Sequence, residues 1–330
     1  MPISLLYARV GHLVRRLQQI SVAIFLEEVG AVVGITPVQF GALTAIDEHP
    51  RLDIQRLANL VAVDRATLGT VINRLVKSRL VEGCEDPFDR RSRVVRVLSA
   101  GQKLLESAAP HVKRADLRLL KPLTDSEREV FMIYLRQIVH AGNDFSRVPL
   151  VTDANVDRNL SLYSRAGYLV RRLQQVCEGI FTDEVAELGL TPAQYAALAV
   201  IAHSKGEDNT RLAHAIALDK VTTGSIVKRL DSRGLIRVRS NAKDKRSKTL
   251  EITSDGANML RVIQPRISRA DERVLSGLAE PDSRQFMRLL EKVVEFNNDA
   301  SRAPLKGAMR MTAMRAPSKP RSKAISYRRK

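Results

Sequence analysis

The feature that most constrains the fold of this chain is an internal duplication. The segment LYARVGHLVRRLQQ, residues 6–19, recurs as LYSRAGYLVRRLQQ at residues 162–175, and 11 of the 14 positions are identical. The copies are first 156 residues apart. Copy one then contains one additional residue, and the offset is 155 up to the matching segments NDFSRVPL and NDASRAPL. Solenoid repeats have periods of roughly 20 to 50 residues, so this period predicts two copies of a whole domain.

The duplication divides the chain into four predicted segments. We predict a first domain over residues 1–147, a linker over 148–158, a second domain over 159–305 and a disordered tail over 306–330. The tail holds nine Lys and Arg and no acidic residue, so it carries half of the net charge of +18. Both domains are also net positive. A surplus spread in this way favours a polyanionic partner.

Composition and motifs argue against several classes of protein. No apolar run approaches the roughly 18 residues of a membrane helix, and the first ten residues do not resemble a secretory leader, so we expect a cytoplasmic protein without membrane contact. Two cysteines and six scattered histidines predict no metal site. A phosphate-binding loop and a nucleophile motif are also missing, so we predict neither a cofactor nor an enzyme.

Hydrophobic periodicity and helix-start signals define the elements of each copy. A long amphipathic helix opens copy one, with an apolar stripe at Leu6, Val10, Leu13, Leu17, Ile20 and Ile24. Thr36-Pro37-Val38-Gln39 has the pattern of a capping box, and residues 191–194 repeat it. A short helix follows, and a further helix opens at Asp64 in copy one and at Asp219 in copy two.

The second half of each copy predicts a hairpin and two closing helices. Short β-prone runs at 80–83 and 93–98 flank a basic turn, and helices follow over about 99–120 and 124–145. The predicted fold class is therefore mainly α (α+β), with two tandem winged helix-turn-helix domains and long flanking helices.

Four segments in this order resemble the MarR (multiple antibiotic resistance regulator) family of transcription factors. They are the Thr-Pro-x-Gln helix start, DRATLGTVINRLVKSRLVE at 64–82, DRRSRVVRVLSAG at 89–101, and the closing helices. Copy two repeats them as TPAQYAALAVI, DKVTTGSIVKRLDSRGLIR and DKRSKTLEITSDG. The glycine that the family has after its recognition helix is Gly234 in copy two but Arg79 in copy one.

The resemblance implies that the second helix of each helix-turn-helix enters the major groove of double-stranded DNA, where outward side chains meet base edges. A merely solvated polar face is the alternative. By pattern, the predicted DNA-binding side chains are Arg65, Thr70, Asn73 and Arg74 in copy one and Lys220, Ser225, Lys228 and Arg229 in copy two.

The resemblance also implies a role for the wing. In the family an Asp orients an Arg that enters the minor groove, and the matching residues are Asp89 with Arg91 and Asp244 with Arg246. A narrow minor groove concentrates negative potential, which suits a guanidinium. A charged but inactive hairpin tip is the alternative.

Family members respond to small aromatic acids or phenols held between the flanking helices and the DNA-binding lobe. A carboxylate at a half-buried rim suits Arg, whose planar fork donates two hydrogen bonds. A salt-bridged or solvated helix face is the alternative. The candidate effector residues on one side of each first helix are Arg9, His12 and Arg16 and their repeats Arg165, Tyr168 and Arg172.

Together these features predict a sequence-specific transcriptional regulator, a repressor released by a small aromatic ligand. The linker of about ten residues spans up to ~35 Å, so one chain can act as a covalent pseudo-dimer, although a homodimer stays open. The two recognition helices differ, which predicts an imperfect palindrome as operator. The alternative function is an architectural, nucleoid-type DNA binder without ligand control.

Overall fold

Each copy is built from six principal α-helices and an antiparallel hairpin in the part of the chain that the computed structural model describes. That part comprises residues 6–50, 52–85, 93–150, 161–203, 208–240 and 248–301. Copy one contains α1 Val10–Phe25, α2 Pro37–Glu48, α3 Ile54–Val61, α4 Arg65–Lys77, β1 Val81–Glu85, β2 Arg93–Val97, α5 Ser99–Leu119 and α6 Asp125–Ala141. Copy two contains α7 Ala166–Val185, α8 Pro192–His203, α9 Asn209–Ala215, α10 Lys220–Ser232, β3 Ile236–Ser240, β4 Lys248–Ile252, α11 Ser254–Leu275 and α12 Glu280–Phe296.

This element order confirms the predicted fold class. In each copy, α2–α4 or α8–α10 form the helix-turn-helix, and the strands pair as an antiparallel wing. The linker beyond Leu150 and the basic tail lie outside the described residues. We call the unit of helix-turn-helix and wing the lobe of its copy.

The predicted capping boxes are present at the start of α2 and α8. The Thr36 backbone N–H donates to the Gln39 side chain at 2.9 Å, and the Gln39 backbone N–H donates back to the Thr36 hydroxyl at 3.3 Å. Thr191 and Gln194 make the same two bonds in copy two. Each box satisfies two of the unpaired N–H groups at a helix start, so this boundary follows from local sequence.

The first helix differs from its prediction at both ends. It begins at Val10, and Leu6, which the apolar stripe had included, instead packs into the core of the copy-two lobe. The additional residue of copy one falls at its other end. There a π-helical turn, Leu26–Gly30, leads into a short α-helical turn, Ala31–Val33, whereas copy two has a single 3-10 turn, Ala186–Leu188. A π-turn holds one residue more than an α-turn.

The two copies share a hydrophobic core. The first helices, α1 and α7, pack against each other, and α6 and α12 lie beside them. One apolar cluster therefore contains Leu13 and Leu17 of copy one together with Leu169 and Leu173 of copy two. Phe131 of α6 stacks on Phe286 of α12 with the ring centroids 5.6 Å apart. Neither copy buries this surface alone.

Hydrogen bonds from α7 hold the end of α3, the first helix of the copy-one helix-turn-helix. The buried Arg172 guanidinium donates to the Leu60 carbonyl at 3.2 Å and to the Asn59 carbonyl. The Tyr168 hydroxyl donates to the Leu60 carbonyl at 2.6 Å, and the Gln175 amide donates to the neighbouring Ala62 carbonyl at 2.9 Å. Carbonyls at a helix C-terminus have no partner within the helix and carry partial negative charge. Donors from copy two satisfy them.

The reciprocal bonds run from copy one to the end of α9. The donors are Tyr7, Arg15 and Gln19, and their acceptors are the carbonyls of Ala215 at 3.2 Å, Ile216 at 2.6 Å and Ala217 at 2.8 Å. The first helix of each copy thus fixes the lobe of the other copy.

We expect the substitution Arg79→Gly to stabilise the protein. Arg79 has a left-handed backbone with φ of 54°, whereas the equivalent Gly234 adopts φ of 69° without a side-chain penalty. Relief of the strain outweighs the extra freedom of glycine in the unfolded chain, for a net gain of about 0.5 to 1 kcal/mol. The free energy of unfolding in urea checks this. Gly234→Ala is the matched control and should destabilise; a loss of stability in Arg79→Gly would contradict the interpretation.

The substitution Arg172→Met should destabilise the chain strongly. Methionine keeps the apolar stem but removes the donor, which leaves buried carbonyls at the end of α3 without a partner. A buried hydrogen bond to a charged group contributes about 1.5 to 3 kcal/mol, and we expect a loss of roughly 3 kcal/mol. Arg171→Met on the same helix is the control. Equal unfolding midpoints for the two variants would show that these bonds do not hold the lobe.

Candidate nucleic-acid interface

The recognition helices α4 and α10 begin at aspartate caps. The Asp64 carboxylate accepts hydrogen bonds from the Thr67 backbone N–H at 2.8 Å and from the Thr67 hydroxyl at 2.7 Å. Asp219 and Thr222 make the same pair of bonds. These hydrogen bonds lower the pKa of both aspartates, so each cap stays ionised at neutral pH. The first turn of each recognition helix is therefore fixed by its own sequence.

The predicted DNA-binding side chains of both recognition helices face outward. Leu68, Val71, Ile72 and Leu75 anchor α4 in the core. The exposed side chains are Arg65, Thr70, Asn73 and Arg74 on α4 and Lys220, Ser225, Lys228 and Arg229 on α10. Their contact with bases remains a prediction.

One exposed residue of α10 escaped the sequence analysis. Val221 is 85% exposed, although large apolar side chains are normally buried, and its equivalent in α4 is the smaller Ala66. It lies beside Lys220 in the first turn of the recognition helix. The major groove presents one apolar group, the thymine methyl, which such a side chain can contact. A valine at the second position of a recognition helix was the available signal.

The wing strands are present, but the predicted minor-groove residues cannot be placed. In copy one β1 pairs with β2 from Val81 opposite Val97 to Glu85 opposite Arg93, and β3 pairs with β4 in the same register. Asp89, Arg91, Asp244 and Arg246 lie outside the described residues. Their roles remain predictions.

Two cavities lie between the first helices and the lobes, and they contain four of the six predicted effector residues. The large cavity, about 590 Å³, is bounded by α1, α7 and the copy-one lobe and is lined by Arg165 and Tyr168. The small cavity, about 70 Å³, occupies the equivalent place against the copy-two lobe and is lined by Arg9 and His12.

Both arginines in these cavities are already paired. Arg9 donates to the Asp271 carboxylate at 2.7 Å, and Arg165 donates to the Asp116 carboxylate. Burial raises the pKa of Asp116 and of Asp271, and the adjacent arginine opposes that rise in each case. The charge of Arg9 and Arg165 is therefore balanced within the chain. Whether either binds an effector remains a prediction.

The placement of Arg16 and Arg172 at a half-buried rim is wrong. Both side chains are almost fully buried, with exposures of 0% and 1%. Arg16 donates to the Asn298 side-chain oxygen at 2.7 Å and to the Ser301 hydroxyl at 2.9 Å, and Arg172 holds the end of α3. A buried guanidinium must have its donors satisfied, and here protein acceptors do so.

The sequence analysis missed Arg171, which lines the large cavity. The half-buried guanidinium forms no hydrogen bond or ion pair with the described residues. Burial lowers the pKa of Arg171 to about 10, and the positive charge of Arg172 lowers it further. The repeated RR pair was a visible signal, but helix periodicity alone did not separate the buried arginine from its neighbour in the cavity.

Other kinds of site have little support in the described part of the chain. No group of three or more His, Cys, Asp or Glu residues there is placed to hold a metal ion. No single helix there is long and apolar enough to cross a membrane, although two bent helix pairs pass the same test on length and composition. Cys177 is buried, and burial raises the pKa of its thiol, which disfavours the reactive thiolate.

Comparisons with known proteins give one consistent family. The MarR family model matches twice, at residues 33–92 and 188–247. The transcriptional repressor NicR of Pseudomonas putida is 30% identical over 136 residues, which are 41% of this chain and 85% of NicR. The transcriptional regulator HosA of Escherichia coli is 29% identical over 135 residues, which are 41% of this chain and 98% of HosA.

A solved structure also matches over about one copy. The PcaV transcriptional regulator from Streptomyces coelicolor is 31% identical and covers 39% of this chain and 95% of its own, with a TM-score of 0.37. The repeated family match and the identity to NicR over most of its length agree with the motifs of both copies. The chain belongs to the MarR family.

Proposed function

We propose that this chain is a cytoplasmic, sequence-specific transcriptional repressor that binds double-stranded DNA as a covalent pseudo-dimer. The observation that carries the proposal is the pair of recognition helices, each capped by an aspartate and each exposing basic and small polar side chains. Membership of the MarR family and the similarity to the repressor NicR support it.

The cross-copy contacts support one chain as the DNA-binding unit. The two copies share one core, and the first helix of each copy binds the lobe of the other through hydrogen bonds to buried carbonyls. A twofold dimer places its two recognition helices in the same way, about one turn of DNA apart. Here the two heads belong to one polypeptide and differ in sequence, so the proposed operator is an imperfect palindrome.

Ligand control is the second part of the proposal. The large cavity lies between the flanking helices and the copy-one lobe, and its volume of about 590 Å³ is typical of a small-molecule site. Its walls combine the rings of Phe25 and Phe40 with the cations Arg165 and Arg171. Aromatic rings beside cations suit an aromatic acid. Such a ligand would release DNA by shifting the lobe against the flanking helices.

Footprinting and light scattering together test the proposed function. We expect protection of one discrete, imperfectly palindromic site upstream of the chain's own gene or of a neighbouring gene. In moderate salt the free protein should have a mass of 36.8 kDa, with one chain on each operator. A stable species of twice that mass, with two chains on each operator, would contradict the pseudo-dimer.

The same footprint distinguishes the alternative function. The basic tail of residues 306–330 favours an architectural DNA binder, since its nine cations attract phosphate without reading sequence. Such a protein would coat DNA with weak preference and without a discrete footprint. Similar affinity for operator and random DNA would favour that function over a repressor.

The wing substitutions Arg91→Ala and Arg246→Ala should each weaken operator binding by about 1 to 3 kcal/mol, through loss of a minor-groove contact. Fluorescence anisotropy with labelled operator measures this, and thermal unfolding checks that each variant folds. Arg284→Ala on α12, away from both lobes, is the control. Wild-type affinity in both wing variants would remove the wing from the mechanism.

A further inference from the structure

We propose that each chain takes a single effector, a one-ring aromatic monocarboxylate held in the large cavity with its carboxylate on Arg171, while the equivalent small cavity takes none. This inference rests on the proposed function, because it specifies how that regulator is controlled. A symmetric homodimer would present two identical sites, so the asymmetry is a property of this duplicated chain.

The two cavities differ in what they can hold. An apolar cavity of about 150 Å³ accommodates one benzene ring, and a water molecule occupies about 30 Å³. The small cavity, at about 70 Å³, therefore has room for roughly two waters and not for a ring. The large cavity, at about 590 Å³, takes a ring with its substituents.

Paired positions explain part of the difference in volume. Phe40 of the large cavity is replaced in the small cavity by Tyr195, and Gly41 is replaced by Ala196. Both changes add atoms to the wall of the small cavity. The Tyr195 hydroxyl is buried there without a hydrogen-bond partner, so the added group fills space rather than building a polar contact.

The charges of the two cavities differ in the same direction. Arg171 and Arg15 are equivalent residues on α7 and α1. Arg15 donates to the Ile216 carbonyl at 2.6 Å, and the negative charge of Glu178 favours its protonated form. The residue equivalent to Glu178 in copy one is Val22, which lines the large cavity. Arg171 therefore has no such acidic partner.

An anionic ligand would supply the missing partner. A carboxylate can accept two hydrogen bonds from a planar guanidinium, and the pairing is strongest where water is excluded. Arg165 fits this role less well, because Asp116 already accepts its hydrogen bond. The rings of Phe25 and Phe40 are 5.9 Å apart and leave an apolar wall for the ring of the ligand. One negative charge matches one unpaired cation.

The position of the large cavity also indicates which reading head the effector controls. Thr36, Phe40 and Gly41 of its wall belong to the start of α2 in the copy-one lobe. The lobe of copy two has no wall in this cavity. The effector therefore acts directly on the α4 half of the DNA-binding surface.

Isothermal titration calorimetry of the full chain tests the inference, with benzoate and salicylate as probes and benzamide as the uncharged control. We expect one carboxylate per chain and no measurable binding of benzamide. Arg171→Met should weaken binding roughly tenfold or more through loss of the charged pair. Arg15→Met, its matched control, should bind the probe as the wild type does.

A second variant keeps the test independent of stability. Val22→Glu places in the large cavity the carboxylate that Glu178 provides in the small one, and it should weaken benzoate binding as Arg171→Met does. Each variant is checked by its unfolding midpoint and its operator affinity.

The outcomes separate the inference from the function on which it rests. Two carboxylates per chain, loss of binding in Arg15→Met, or unchanged binding in Arg171→Met would overturn the single-site inference and leave ligand control in place. Absence of carboxylate binding at millimolar concentration would overturn the inference as well. A discrete operator footprint would show in that case that the repressor itself still stands.

Discussion

The structure depends on the need to satisfy buried carbonyl groups at the end of a short helix in each lobe. Such carbonyls cannot bond within their own helix, and burying them without donors costs about 1 to 3 kcal/mol each. The donors come from the first helix of the other copy: Arg172 reaches Leu60, and Arg15 reaches Ile216. Each helix-turn-helix is therefore completed by the copy to which it does not belong. This reciprocity makes the two copies one molecule.

The amount that sequence could predict follows from how local each interaction is. The capping residues Thr36 and Asp64 act within three residues of themselves, and their helices begin as predicted. The roles of Arg16 and Arg172 depend on acceptors in the other copy, so helix periodicity placed them at a rim that does not exist. The cavities were equally hidden, because Arg171 differs from Arg172 only in what lies opposite it.

Duplication within one chain allows equivalent positions to differ, and these differences are concentrated where function is proposed. Copy two carries Gly234 in the left-handed conformation that Arg79 adopts at a cost in copy one. Val221 replaces Ala66 on the recognition surface, and Tyr195 replaces Phe40 in a cavity wall. The shared core shows no comparable change in its central leucines. Differences of this kind give one chain two unequal reading heads and two unequal cavities, which a homodimer cannot have.

The most direct test of this account is operator affinity measured as a function of half-site spacing. If the cross-copy hydrogen bonds hold both lobes rigidly, affinity should peak at one spacing near ~10 base pairs between half-site centres, one helical turn, and fall steeply for spacings half a turn away. The optimum should belong to a single chain. A flat dependence, or equal affinity for one isolated half-site, would mean that the lobes move independently and would contradict the account.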